Sequence, residues 1–469
     1  MTEKFDLVII GSGPAGIYAA LEASKFGKKA AIIERHPESI GGTWLHTGTI
    51  PSKTFRETLA TIRSIHSHVG KHWVDRLLGN LSTLRLQQRA EAVSRDEEKL
   101  VLDLLNEAKV HIIRGHGYIE SPQEVRVLQS ETGGKIINTD FILIATGSKP
   151  RRPSFIPFDG WRVVDSDEIL TLEQLPKSIV VFGAGVIGCE YACIFQALGV
   201  QTTIVDARSH IMQSHDREVA DELMRAMENV GVIFKLGYNM SEIRFDGPKV
   251  MTIFPQETLS SDLFFFAAGR ESTSNRLGLE RVGILTNKRG AIDVNNHFQT
   301  SVKNIYAAGD VIGPPALAST SAEQGRIAAL HAFGSKVSFP EVFPLGIYTI
   351  PEMSSVGKNE EELIGSGVPY VVGKAHYREI ARGYIRGDSH GLLKLLVCSQ
   401  SHRILGVHIV GADAANLIHI GQCCMLSNMP IDTLVNDVIF NYPTLAEGYK
   451  IAAAKALNQL KAQQTENAA

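Results

Sequence analysis

The apolar positions of this chain fall into two matching runs of strand, glycine loop, helix and strand. Phe5-Asp6-Leu7-Val8-Ile9-Ile10 predicts a short, buried strand. Gly11-Ser12-Gly13-Pro14-Ala15-Gly16 follows, then an alanine-rich helix and a second apolar strand from Ala30 to Ile33 that ends at Glu34. The pattern recurs from Ser178-Ile179-Val180-Val181-Phe182 through Gly183-Ala184-Gly185-Val186-Ile187-Gly188, a helix, and a strand ending at Asp206. In both units the acid stands 23 residues after the first glycine.

The three glycines of each loop have separate tasks. Gly11 and Gly183 allow a tight turn, Gly13 and Gly185 let backbone approach a pyrophosphate, and Gly16 and Gly188 let helix pack on strand. The helix N-terminus then offers unpaired N–H groups to phosphate. Glu34 and Asp206 are placed to accept hydrogen bonds from an adenosine ribose. One such loop is weak evidence, whereas two complete units with equal spacing predict two dinucleotide sites.

Elsewhere the pattern predicts a largely helical excursion from about Thr54 to Gly115 and a linker at Lys149-Pro150-Arg151-Arg152-Pro153. Strands are expected at Leu392 to Val397 and Ile404 to Val410, and a polar, frayed end from Lys461 to Ala469. At 469 residues the chain has room for two to four domains. Lys plus Arg number 47 against 50 Asp plus Glu, a net charge of −3, so composition does not point to nucleic acid or an anionic membrane. No apolar run approaches the roughly 20 residues that span a bilayer, and the acidic N-terminus is unlike a secretory leader. The five cysteines suggest reduced thiols and a cytoplasmic protein. Cys189 and Cys193 fall on one helix face and read as core packing; Cys423 and Cys424 read as two buried thiols.

Gly41-Gly42-Thr43-Trp44-Leu45-His46-Thr47-Gly48-Thr49-Ile50-Pro51-Ser52-Lys53 resembles the redox loop of the flavoprotein disulfide reductases. That family carries two cysteines where this chain has Trp44 and Thr49. Asp140-Phe141-Ile142-Leu143-Ile144-Ala145-Thr146-Gly147-Ser148 resembles the strand closing the family's first nucleotide unit, and Phe266-Ala267-Ala268-Gly269-Arg270 closes the second in the same way. Asn304-Ile305-Tyr306-Ala307-Ala308-Gly309-Asp310 resembles the second flavin motif, whose acid binds the ribityl chain. The resemblance covers nearly the whole chain, from Phe5 to about Leu457. It implies an α/β fold with two Rossmann-like domains and a C-terminal α+β dimerisation domain. Residues 1–150 and 273–342 would hold FAD, 151–272 would hold NAD or NADP, and 343–469 would pair subunits.

The same resemblance implies roles at single positions. Gly11, Gly13, Pro14, Ala15, Gly16, Glu34, Arg35, Gly42, Thr43, Lys53, Ala145, Thr146, Gly147, Gly309 and Asp310 would hold FAD. Gly183, Gly185, Ile187, Gly188, Asp206, Arg208, Gly269 and Arg270 would hold the nicotinamide coenzyme. Lys53 would sit near flavin N5 and pair with Glu190, with His46 and Thr49 beside them. Near the C-terminus Phe440-Asn441-Tyr442-Pro443-Thr444-Leu445-Ala446-Glu447 carries Tyr442 where the dithiol enzymes have their acid–base histidine. A phenol with an ordinary pKa of about 10 is a poor base at neutral pH, and without a dithiol no base is needed. Glu447 would bond either backbone or Tyr442.

Within the superfamily the chain is similar to the soluble, Si-specific pyridine nucleotide transhydrogenases. They share its Gly-Thr-Ile-Pro-Ser-Lys run, the His46 position and Phe-Asn-Tyr-Pro-Thr. It departs from them at Trp44, where they keep a cysteine, and at Asp206, where they have Asn. The implied activity is hydride transfer between NADPH/NADP and NADH/NAD through FAD, in a homodimer or larger homo-oligomer. Arg208 would offset the repulsion between Asp206 and an NADP 2′-phosphate. Two alternatives remain open: direct reduction of a quinone or dye by NAD(P)H, and a flavoprotein electron-transfer or sensor subunit.

Overall fold

The computed structural model describes residues 4–36, 38–69, 83–130, 133–388 and 390–468. Strand β1 (Lys4–Ile10) is almost wholly buried, as a strand between two parallel neighbours must be. On one side lie β2 (Ala30–Glu34) and β3 (His111–Arg114), both parallel to their neighbours. Next come β4 (His116–Ser121), β5 (Glu124–Ser130) and β6 (Gly133–Ile144), an antiparallel meander whose last strand pairs parallel with β1 on its other side. Residues Ile305–Ala307 return to this sheet and extend it beside β6. Gly309 and Asp310 are thereby set next to Ala145 and Thr146, as Ala308 N–H donates to the Ile144 carbonyl.

Helix α1 (Pro14–Lys25) starts directly at the first glycine loop and packs on the helix Ala318–Ala332. The two backbones come so close that a Cβ on Gly325 would lie 1.9 Å from the Ala15 carbonyl oxygen. Helices α2 (Thr43–His46), α3 (Thr49–Val69) and α4 (Thr83–Glu107) follow; Leu45, Val101 and Leu105 join the apolar cluster around α1, while Phe55 and Leu59 of α3 pack into the core of the second nucleotide unit. The predicted helical excursion is thus α3 and α4, ending in strand β3, while residues 70–82 lie outside the described residues.

A second, wholly parallel sheet holds Ile233–Leu236, Gln201–Asp206, Ser178–Phe182, Leu263–Phe266 and Val163–Val164 in that spatial order. Helix α5 (Val186–Ala197) follows its glycine loop and buries Cys189, Cys193, Tyr191 and Phe195. The predicted linker pairs Ser148–Pro150 against Arg270–Ser272, so both crossings between the nucleotide units run side by side. The C-terminal unit is a five-stranded antiparallel sheet with Leu392–Cys398 and Ile404–Val410 at its centre. Its apolar face packs on helices that include Ala414–Leu426 and Glu447–Ala468.

Two expectations need correction. The tail expected to fray is helical through Ala468, continuing the helix that starts at Glu447. Cys423 is exposed while Cys424 is buried, because adjacent helical positions diverge by about 100° and only Cys424 faces the sheet. All five cysteines are free thiols.

Candidate active site

At the C-terminal edge of the first sheet opens a cavity of about 380 Å³. It is lined by Gly11, Gly13, Pro14, Ala15, Glu34, Arg35, Gly42, Thr43, His46, Thr49, Ala145, Thr146, Gly147, Gly309 and Asp310. Most of the residues expected to hold FAD therefore converge on one space. A Cβ on Gly11 would lie 2.4 Å from the Ala145 carbonyl oxygen and one on Gly16 would lie 2.1 Å from that of Gly11, so both are structural. A Cβ on Gly13 would meet nothing within 4 Å, so its bare backbone borders open space at the start of α1. That is the surface a pyrophosphate requires.

Glu34 Oε2 accepts from the Ser12 N–H (3.0 Å) and hydroxyl (2.7 Å), and Oε1 accepts from His36 N–H (2.9 Å). A carboxylate has about four acceptor positions, so Glu34 keeps one for a ribose. Asp310 Oδ2 accepts from the Ser148 hydroxyl (2.6 Å), which in turn accepts from Arg270 Nε (2.8 Å). Arg270 also donates to the Ser148 carbonyl (2.9 Å) and Ser166 Oγ (3.3 Å), tying the first cavity to the second nucleotide unit. Asp167 lines the cavity as well, and burial pushes its carboxyl up despite nearby Arg270. Ser12, Ser148 and Asp167 carried no role in the sequence reading. Ser148 directly follows Ala-Thr-Gly and was the most legible of the three.

The redox loop brings Trp44 and Thr49 to the wall of this cavity. None of the five cysteines lines it. Cys193 is buried in α5, where loss of water pushes its thiol up to about 11, and the same cause raises Cys189 well above its ordinary value. His46 Nε2 hydrogen-bonds the Ile40 carbonyl at 2.9 Å. Lys53 and Glu190 meet at 2.7 Å across 137 residues of sequence. The other Glu190 oxygen accepts from Tyr348 N–H (2.8 Å), and the Lys53 ammonium lies 5.1 Å from the Tyr348 ring centroid. Tyr348 thus holds both members of the pair, which no local pattern announced.

The second cradle repeats the first in its glycines: a Cβ on Gly188 would lie 1.8 Å from the Gly183 oxygen, whereas one on Gly185 would meet nothing within 4 Å. Ile187 lies in the first turn of α5, and Gly269 takes a φ of +106° just before Arg270. Its acid differs from Glu34. Asp206 accepts from Ala184 N–H (2.6 Å), Arg208 N–H (2.8 Å), Arg208 Nε (2.9 Å) and Arg208 Nη2 (2.6 Å). All four acceptor positions are taken. Burial opposes the charge, but the Arg208 fork and these N–H groups hold the carboxyl below its ordinary value. Arg208 was expected to face a phosphate; here it is folded back on Asp206. A cavity of about 330 Å³ beside it is lined by Gly185, Val186, Arg208 and the loop 212–215.

The C-terminal candidates lie apart from both cavities. Tyr442 is 75% exposed, and Glu447 accepts from Thr444 N–H (3.2 Å), so backbone rather than Tyr442 is its partner.

Residues 5–325 match the pyridine nucleotide-disulphide oxidoreductase family, and residues 343–453 match that family's dimerisation domain. Curated relatives include a soluble pyridine nucleotide transhydrogenase of Mycobacterium tuberculosis, 42% identical over 98% of both chains. Another, from Hamiltonella defensa, is 40% identical over 97% of this chain and 99% of its own. Among solved structures, LpdA from Mycobacterium tuberculosis superposes with a TM-score of 0.88 at 26% identity, covering 96% of this chain and 99% of its own. The HOCl-induced flavoprotein disulfide reductase RclA from Escherichia coli gives 0.87 at 27%, with the same coverage. The chain belongs to the pyridine nucleotide-disulphide oxidoreductase family, whose members bind FAD and NAD(P), and it is an oxidoreductase.

Proposed function

We propose that this chain is a soluble pyridine nucleotide transhydrogenase that moves hydride between NADPH/NADP and NADH/NAD without a redox-active disulfide. The observation that carries this reading is the cavity wall at Trp44 and Thr49, which holds no thiol. The chemistry that FAD would supply there is hydride transfer from one nicotinamide coenzyme to another. The chain supplies the rest. Gly13 and the start of α1 would meet the pyrophosphate, Glu34 the adenosine ribose and Asp310 the ribityl chain. Lys53 would supply a positive charge beside the cofactor, and Glu190, anchored by Tyr348 N–H, holds that ammonium in place. Gly185 and the start of α5 would meet the second coenzyme, with Gly183 and Gly188 shaping the turn, and both coenzymes would exchange at this one site.

The working unit in this reading is a cytoplasmic homodimer, with the segment around Tyr442 reaching the site of the other subunit. Exposure of Ile439 (94%) and Tyr442 (75%) supports a partner there. No helix among the described residues is long and apolar enough to cross a membrane.

One observation favours a second reading, direct reduction of a quinone. A cavity of about 450 Å³ between α3 and α4 has Phe55, Ala90 and Leu170 in a wall otherwise largely polar (Glu38, Gln87, Glu91, Arg95 and Glu98 among them), and His46 borders both it and the first cavity. The Ser94 hydroxyl in its wall has no hydrogen-bond partner among the described residues. The test reduces the holoenzyme with NADPH and mixes it separately with thio-NAD and with a short-chain quinone. Fast reoxidation by thio-NAD is expected. Reoxidation by the quinone alone would replace the transhydrogenase reading with the acceptor-reductase one.

A further inference from the structure

The cavity beside Asp206 raises a charge problem. The Asp206–Arg208 pair sums to zero, with Arg208 Nε and Nη2 both turned onto the carboxylate. An arriving 2′-phosphate would bring nearly two negative charges to a space where only the N-terminus of α5, worth about half a charge, remains to meet them. Arg208 lines the cavity and keeps N–H donors for a phosphate, but its charge is already matched by the buried Asp206, which would repel the ligand. A second cation is required, and the loop across the cavity holds one candidate.

That loop is fixed against the glycine turn by Met212 N–H donating to the Ala184 carbonyl at 3.0 Å. His215 and Ser214 line the cavity with Arg208 and Gly185, and the Ser214 hydroxyl lies 3.3 Å from His215 Nδ1. We propose that His215, with Ser214, completes the 2′-phosphate subsite of the second cradle, so that NADP(H) binds together with a proton and NAD(H) does not. This rests on the second cradle holding the nicotinamide coenzyme.

The surroundings of His215 support a neutral ring before the ligand arrives. Burial lowers its pKa below the ordinary value, the Met212 carbonyl opposes this, and His408 of the C-terminal sheet adds to the lowering. His408 is itself buried and held low by burial, with Nε2 on the Lys358 carbonyl (3.0 Å). Asp216, the neighbouring acid, offers little help because Lys394 takes both its oxygens at 2.9 Å, along with Glu218 and Glu360. Arg208 faces the cavity from the other side. A phosphate dianion is the one new charge large enough to raise His215 and protonate it. The sign follows: affinity for the phosphate form rises as pH falls through the pKa of the complex and levels off below the lowered pKa of the free protein.

Calorimetry on the holoenzyme tests this with two probes lacking nicotinamide, ADP-ribose and its 2′-phosphate, in buffers of different ionisation enthalpy near neutral pH. Wild type should take up protons on binding the 2′-phosphate form and not ADP-ribose. The phosphate itself titrates near pH 6, and that contribution persists in every variant. His215→Gln should lose the additional uptake and about tenfold in affinity for the phosphate form, with ADP-ribose binding unchanged as proof of folding. His215→Arg should keep the affinity and lose the additional uptake, because its charge is permanent. Equal proton uptake in wild type and His215→Gln overturns the proposal. Failure of wild type to bind either probe overturns the coenzyme assignment of the cradle itself.

Discussion

At the scale of single residues, two acids at equivalent sequence positions are in different states. Glu34 has an acceptor position open, whereas Asp206 is saturated by Arg208. Their matching spacing was legible because the strand–loop–helix–strand unit has a nearly fixed length. The saturation was not, because it depends on which way a flexible guanidinium folds. Removing Arg208 therefore does two things: it takes a cation from the phosphate form and frees Asp206 for a ribose hydroxyl. Arg208→Ala should raise the NADH/NADPH ratio of kcat/KM by about tenfold or more, and Asp206→Asn should move it the other way. Steady-state assays with both donors and a common acceptor decide this; unchanged ratios would mean that another cradle binds the coenzyme. Lys53→Met should slow flavin reduction by about 10²-fold, the usual effect of removing one charge that stabilises developing negative charge. Rapid-mixing absorbance at fixed saturating NADPH reads it directly.

At the scale of elements, the loop α2–α3 and the α1 crossing show what one position controls. Gly325 lets Ala318–Ala332 touch α1, and a methyl group there would collide with the Ala15 carbonyl. Gly325→Ala should destabilise the flavin unit by about 1–3 kcal/mol or more and release flavin at lower temperature, seen by flavin fluorescence on heating. This contact could not be read from sequence, since Gly325 lies in an ordinary helical pattern 310 residues from Ala15. The cradles, the redox loop and the central strands of the C-terminal sheet were legible, because each is a local run whose apolar period or glycine order has one interpretation. Pairs closed by the fold were legible only through family likeness, as with Lys53 and Glu190, or not at all, as with Ser148 and Asp310. With Trp44 and Thr49 on the cavity wall, NADPH reduction should also produce no long-wavelength thiolate–flavin absorption. A band abolished by thiol alkylation would contradict that.

At the scale of the whole molecule, the second nucleotide unit is seated on the C-terminal sheet by one buried charge cluster. Lys394 is 0% exposed and its ammonium meets Asp216, Glu218 and Glu360, while Lys374 meets Glu218 at 2.7 Å. Burial works against Lys394, but Glu360 and Asp216 hold its pKa above the ordinary value. Burial likewise works against the Glu218 charge, yet Lys374 and Lys394 hold its pKa below. Because the folded value of Glu218 is depressed, its contribution is present above the ordinary 4.5 and is lost as pH falls through the lowered value. Because the folded value of Lys394 is raised, its contribution is complete below the ordinary 10.5 and is lost as pH rises through the raised value. The docking should therefore hold across the neutral range and fail in acid, where the carboxylates take protons and leave a buried cation. Lys394→Met tests the cluster from the other side, since it strands several carboxylates without a partner. Breaking a buried pair in this way costs about 3–5 kcal/mol, so the thermal transition should fall by several degrees. The double change Lys394→Met with Asp216→Asn should recover part of that loss, because fewer uncompensated charges stay buried. If Lys394→Met unfolds at the wild-type temperature, the cluster contributes nothing to seating, and the apolar contacts along α5 with the Tyr348–Glu190 hydrogen bond must hold the two units together.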